Sequence, residues 1–218
     1  MKKSLAALLL GATLAFATSA SATMTTDRDE FEDAASNYSV TSTYGTAYST
    51  PSTVSLGGVN ATASSPLDVR QIGSSWFTGT WIQKYSGQVL FSQAAQSITL
   101  TFDKMVTGFS FLAEANIYGT SDVTLSAGGE TLTQSVVTKG ENGGAAYFAW
   151  FGDAISSLTI STSDSLGFAF GKIAIATNGQ AVPTAVPGPE AGAGLGALAF
   201  GGMALWMKRR RKDDLLAA

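Results

Sequence analysis

The chain has 218 residues, a formal net charge of −3, and neither cysteine nor histidine. Their absence excludes disulfides, thiolate nucleophiles, the usual zinc sites and every catalytic pair that needs histidine. Residues 23–185 hold thirteen acidic and six basic side chains, a net charge of −7. Nucleic acid is therefore not expected as a partner, because phosphate binding needs a basic surface.

The first 22 residues have the pattern of an export signal. Two lysines precede an apolar run of 13 residues, Leu5 to Ala17, and Ala20 and Ala22 supply the small residues that signal peptidase accepts. The run is shorter than the ~20 residues that a membrane-spanning helix needs. We therefore predict a signal peptide at residues 1–22, exported by the Sec machinery and removed by signal peptidase.

Residues 23–180 are predicted to form one ectodomain that begins with a short helix. The segment Asp27 to Ala35 is rich in acidic residues, with Thr26 as the expected cap and Phe31 on the inner side. In the next segment, Ser36 to Ser65, 14 of 30 residues are serine or threonine, which favours exposed strands and loops over a core helix. Asn60-Ala61-Thr62 fits the short N-glycosylation pattern.

The second half of the ectodomain alternates between apolar and polar residues, as a strand with one buried face does. The clearest apolar positions are Ile98, Leu100, Phe102, Val106, Phe109, Phe111, Val123, Leu125, Ile155, Leu158 and Ile160. Asp103-Lys104 is a candidate turn, a slip of one residue indicates a bulge near Gly108, and Gly128-Gly129 indicates a hairpin. These spacings predict an all-β fold, an antiparallel sandwich or jelly roll.

The segment SSWFTGTWIQKYSG concentrates four aromatic residues within ten positions. If Trp76, Trp81 and Tyr85 face solvent, they are able to stack against sugar rings. The alternative is that these side chains pack in the core of the sandwich together with a loop aromatic. The sequence leaves both interpretations open.

The acidic side chains are the remaining candidates for catalysis and metal binding. Carboxylate pairs for glycoside hydrolysis would come from Glu114, Glu130, Glu141 or Asp153. Calcium ligands would come from Asp122, Asp153 and Asp164, but no spacing here resembles a calcium loop. Most of these residues lie beside glycine or serine in predicted turns, which favours solvated loop charges. We predict no catalytic residue, no metal, no cofactor and no enzymatic activity.

The C-terminal end has the pattern of a single membrane span. Residues 191–207 carry no charge and are followed by five cations, Lys208, Arg209, Arg210, Arg211 and Lys212. As a helix this segment spans ~25 Å, the lower limit for crossing the hydrocarbon core. The cations are expected to stop transfer and to keep residues 208–218 as a cytoplasmic tail.

The predicted span is rich in glycine, and each glycine weakens a helix by ~1 kcal/mol relative to alanine. This composition favours a temporary membrane anchor. A helix-dimer contact through Gly192 and Gly196 is the alternative.

A proline motif lies before the span, within the predicted linker 181–190. It consists of Val186, Pro187, Gly188, Pro189 and Glu190, and its prolines favour an extended backbone that an enzyme at the membrane face can reach. The motif, the span rich in glycine and alanine, and the basic cluster together resemble the PEP-CTERM sorting signal of bacterial exosortase substrates. The resemblance covers residues 186–212, with Gly188 where glutamate is usual.

This resemblance implies that an exosortase, an intramembrane cysteine transpeptidase, cleaves the chain near the proline motif. The precursor is then anchored in the inner membrane, and the mature protein is released or attached at the surface of an exopolysaccharide-producing bacterium. We expect a non-enzymatic structural protein of the cell surface or extracellular matrix, with exopolysaccharide as a candidate partner. The alternative is a secreted carbohydrate-binding module that uses the aromatic residues between Trp76 and Tyr85.

Overall fold

The computed structural model describes residues 22–35, 37–76, 81, 85–138 and 144–181. They belong to the compact unit Met1–Val182, whereas the second unit, Pro183–Ala218, lies outside the described residues. The proline motif, the predicted span, the basic tail and most of the predicted signal peptide therefore lie outside them as well. In the part of the chain that the structure describes, no helix has the length and apolar character needed to cross a membrane.

The described residues form one helix and eleven strands. In chain order they are β1 (Thr23–Thr25), α1 (Arg28–Ala34), β2 (Ser39–Thr41), β3 (Thr53–Leu56), β4 (Val59–Ala63), β5 (Asp68–Gln71), β6 (Gln88–Phe91), β7 (Ser97–Ala115), β8 (Gly119–Ala127), β9 (Glu130–Thr138), β10 (Ala146–Thr162) and β11 (Phe168–Ala181).

All eleven strands belong to one antiparallel sheet. Its main order is β5-β6-β11-β7-β10-β8-β9, with β1 paired to β10, β2 to β11, and β3 attached through β4 to β7. The predicted all-β antiparallel class is confirmed. The structure differs from the predicted sandwich or jelly roll in one respect: hydrogen bonds join every strand into a single curled sheet.

The long strands explain why the sheet is continuous. In β7, which has 19 residues, the first part pairs with β4 and the second part with β11. The 17-residue β10 pairs with β7 along both parts. Because β7 and β10 each run through both parts, the sheet is continuous.

The inner face of the sheet encloses one hydrophobic core, and Phe111 has three aromatic neighbours within it. Its ring centroid lies 5.7 Å from that of Phe109, 5.2 Å from that of Phe148 and 6.1 Å from that of Phe170. The alternating apolar residues predicted in β7, β8 and the end of β10 are buried; Ile155, the exception, is only partly buried but packs against the same core.

The predicted turn at Asp103-Lys104 is wrong, because β7 runs through both residues. The carboxylate of Asp103 accepts hydrogen bonds of 2.8 Å from the backbone N–H and from the side-chain amide of Asn60. Lys104 donates its Nζ to the carbonyl of Gly58 at 2.5 Å. These polar side chains bind the neighbouring β3–β4 hairpin and leave the strand extended.

Two other local predictions are confirmed. Between β7 and β11 the pairing passes from Gly108 with Ala176 to Val106 with Thr177, so one residue of β7 is left over and forms a bulge. The β8–β9 hairpin turns at Gly128 and Gly129, whose φ angles of 59° and 86° suit a primed two-residue turn.

The helix begins one residue later than expected. Its cap is Asp27, whose Oδ1 accepts a hydrogen bond of 2.9 Å from the N–H of Asp29; the predicted cap Thr26 is wrong. Phe31 is buried as predicted, against three alanines on the outer face of the sheet. The helix therefore covers part of that face and leaves the part near β5 and β6 to other segments.

Candidate functional site

A row of side chains crosses the outer face of four strands. Asp68 of β5 pairs with Phe91 of β6, Phe91 pairs with Ala169 of β11, and Ala169 pairs with Glu114 of β7. Residues directly opposite one another in neighbouring strands point to the same face, as does Arg70, two residues after Asp68. Strand register thus brings three charged side chains and one aromatic ring to one surface.

A tight turn after β5 places Trp76 over this row. The N–H groups of Ser75 and Trp76 donate to the carbonyl of Gln71 at 2.9 and 3.0 Å. The partly buried Trp76 ring lies 5.0 Å from the ring of Phe91, and its Nε1 donates a hydrogen bond to Oε1 of Glu114. The indole is therefore held at one end by packing and at the other by a buried carboxyl group.

These residues border a pocket of about 330 Å³, at the lower end of the range for small-molecule sites. Its lining residues are Arg70, Ser75, Trp76, Phe91, Glu114, Ala115, Asn116, Tyr118 and Thr138. Three aromatic rings and several polar groups converge there. Such a lining can pack against an apolar ligand face and hydrogen-bond the hydroxyl groups at its edge.

The guanidinium of Arg70 is fixed beside the pocket. Its Nε and Nη2 donate to Oδ2 of Asp68 at 2.8 and 2.5 Å, and its Cζ lies 5.1 Å from the ring centroid of Tyr48. A guanidinium carries five N–H donors, and these two bonds leave others on the same group. Arg70 can therefore donate to a ligand without rearranging.

One rim of the pocket depends on Asp164, which is 3% exposed. Its Oδ2 accepts from the N–H of Ile117 at 2.7 Å and its Oδ1 from the N–H of Leu166 at 2.8 Å. These bonds join the loop between β7 and β8 to the loop between β10 and β11. Tyr118, 62% exposed, is consequently held at the rim.

Four of the large exposed apolar side chains belong to the surroundings of this pocket. Among the described residues, the large exposed apolar side chains are Val40, Tyr48, Ile117, Tyr118, Val137 and Leu166. Tyr48 contacts Arg70, and Ile117, Tyr118 and Leu166 belong to the loops that Asp164 joins. Exposed apolar surface concentrated in one place is typical of an interaction site.

Trp76 lines the pocket, whereas the other two predicted stacking residues, Trp81 and Tyr85, do not. Trp81 is 6% exposed, and its ring lies 5.7 Å from that of Tyr85. The Tyr85 hydroxyl donates to the carbonyl of Gln88 at 2.6 Å and accepts from the N–H of Lys172 at 3.1 Å; burial raises the pKa of this hydroxyl. Trp81 and Tyr85 therefore pack over the outer face of the sheet and do not line the pocket.

Sequence reasoning missed Arg70, Phe91 and Tyr118, and it weighed Glu114 only for catalysis. These residues come from separate segments that meet through strand register and loop pairing, so no local motif marks them. One signal was present: Glu114 interrupts the apolar run FSFLAEA, and a carboxyl group is costly to bury without polar partners.

The other candidate carboxylates that the structure describes lie outside the pocket lining. Glu130 and Asp153 are exposed, and Glu141 lies outside the described residues. Asp122 accepts a hydrogen bond of 2.6 Å from a serine hydroxyl of β9, and Asp164 joins two loops. Within the described ranges, no three acidic side chains are grouped so as to hold a metal ion.

No family model and no curated protein matches the chain, but solved structures do. One is a peptidoglycan O-acetylesterase, 19% identical with a TM-score of 0.34, covering 61% of this chain and 34% of that one. Another comprises the CBM22-1 and GH10 modules of the Clostridium thermocellum endo-1,4-beta-D-xylanase 10B, complexed with xylohexaose: 16% identical, TM-score 0.30, covering 55% and 26%. The chain spans about a third of the length of the first structure and about a quarter of the second.

One sequence-based prediction needs correction here. The chain was expected to have no enzymatic activity, and this is contradicted by the match to an esterase. The TM-score of 0.34 does not establish an activity either, so the enzyme status of the protein is not established.

Proposed function

We propose that the protein binds carbohydrate in the pocket lined by Trp76, Arg70, Glu114 and Tyr118. The observation that carries this proposal is the placement of Trp76. Its indole lines the pocket, packs against Phe91 and is fixed by its hydrogen bond to Glu114. A held aromatic ring loses little conformational freedom when a ligand stacks on it.

The rest of the lining suits the edge of a sugar. A sugar ring offers C–H groups on its faces and hydroxyl groups around its edge. Arg70 supplies N–H donors, and Tyr118 supplies a hydroxyl group, which can both donate and accept. Because residues 23–185 carry a net charge of −7, we expect neutral glycans to bind more tightly than polyanionic ones.

Binding of the purified full-length chain to immobilised xylan, cellulose, chitin, mannan and alginate tests this proposal. We expect at least one neutral polysaccharide to bind, and Trp76→Ala to weaken that binding by about tenfold or more, equivalent to about 1.4 kcal/mol. Val40→Ala, at an exposed position outside the pocket lining, is the matched control. Binding to none of the five, or equal binding by Trp76→Ala and the wild type, would overturn the proposal.

We further propose that the protein is delivered to the cell surface or matrix and processed by an exosortase. The support is the sequence pattern of residues 186–212, which lie outside the described residues. At that location exopolysaccharide is the glycan within reach of the pocket.

Mass spectrometry of cell-associated and released protein from the native host tests the delivery route. The expected mature chain begins at Thr23 and ends between Val186 and Glu190. Mature chains that all retain Arg209 to Arg211 would contradict exosortase processing and would leave carbohydrate binding untouched.

A further inference from the structure

Tyr48 combines exposure with a strained backbone. Its φ angle is 66° and its side chain is 63% exposed. A bulky residue rarely adopts the left-handed region, which costs roughly 1–2 kcal/mol. Hydrogen bonds hold this backbone: the N–H of Tyr48 donates to the carbonyl of Val69 at 2.7 Å, and the N–H of Ser49 donates to the carbonyl of Thr46 at 3.0 Å.

This backbone would suit glycine or asparagine better than tyrosine, and the exposed ring is not part of the hydrophobic core. The ring contacts the guanidinium of Arg70, whose Cζ lies 5.1 Å from the ring centroid. The guanidinium covers one face of the ring, and the high exposure of the side chain leaves the other face to solvent. Strain of this kind often persists where a side chain serves a binding function.

We propose that Tyr48 is a second stacking subsite for the glycan bound in the pocket. The pocket holds about 330 Å³, so a chain of several sugars must extend beyond it. Arg70 lines the pocket and also contacts Tyr48, which places the Tyr48 ring next to the pocket. The preferred ligand is therefore an oligosaccharide chain that reaches from Trp76 past Arg70 to Tyr48, and this inference rests on the proposed carbohydrate binding.

Calorimetric titration of the full-length chain with xylo-, cello-, manno- and chito-oligosaccharides, each with two and with six units, tests this subsite. The variant is Tyr48→Gly, which removes the ring and relaxes the strained φ; Tyr48→Asn is a second variant that tolerates the same backbone. Val40→Ala is the control, and thermal unfolding checks that each variant is folded.

For the series that binds, we expect the wild type to prefer six units over two. Tyr48→Gly and Tyr48→Asn should weaken binding of the six-unit sugar by about fivefold or more and leave the two-unit sugar unchanged. Equal affinity of both variants and the wild type for the six-unit sugar would overturn the subsite, while a loss caused by Trp76→Ala would still support the pocket. If none of the four series binds the wild type, the proposed function itself falls.

Discussion

Replacing Phe111 by alanine is expected to lower the free energy of unfolding by about 3–5 kcal/mol. Phe111 is fully buried, its ring stacks on that of Phe148, and two more rings lie within 6.1 Å. Truncation leaves a cavity that the surrounding strands cannot close, because β7 is paired on both sides. Urea unfolding followed by circular dichroism measures the change.

The matched control is Val40→Ala, which shortens an exposed side chain and should change the unfolding free energy by no more than about 0.5 kcal/mol. A loss below about 1 kcal/mol for Phe111→Ala would mean that the side chains around Phe111 do not form a closely packed core.

Asp164→Ala should affect both stability and binding. The substitution leaves the N–H groups of Ile117 and Leu166 without their carboxylate acceptor. Hydrogen bonds to a charged group contribute about 1.5–3 kcal/mol each. Because Ile117 and Leu166 are exposed, water replaces part of the lost bonding, and we expect a net loss of about 2–4 kcal/mol in the free energy of unfolding. Because the loop that carries Tyr118 loses this tether, glycan affinity should fall as well, by about threefold or more.

Urea unfolding and titration with the best-bound six-unit oligosaccharide measure the two effects. Asp164→Asn retains one carbonyl acceptor and should fall between the alanine variant and the wild type. If Asp164→Ala matches the wild type in both measurements, the rim of the pocket does not depend on this carboxylate.

Short-range patterns in the sequence determined the parts of the fold that were predicted correctly. The alternation around Ile98 and Leu100 identified the buried face of β7, and Gly128-Gly129 identified the β8–β9 hairpin. The polar pair Asp103-Lys104 was misleading, because its partners, Asn60 and Gly58, lie more than forty residues away. A contact of that range decides between turn and strand, and no local pattern reports it.

In the candidate site, too, local patterns in the sequence identify only the residues that do not depend on long-range contacts. A cluster of aromatic residues pointed to Trp76, but only packing separates it from Trp81, which is buried a few residues later. Arg70 enters the site because β5 pairs with β6, which pairs with β11. Tyr118 enters it because Asp164 joins the loop of Tyr118 to the loop between β10 and β11. Tyr48 is recognisable only from its φ angle and its contact with Arg70.

The position of a bound sugar tests the central claim most directly. In a crystal structure of the full-length protein soaked with the best-bound six-unit oligosaccharide, we predict a sugar ring stacked on the indole of Trp76, with its hydroxyl groups within hydrogen-bonding distance of Arg70. Density for the oligosaccharide on another face of the protein, with the pocket free of sugar at a concentration that saturates binding in solution, would contradict the account.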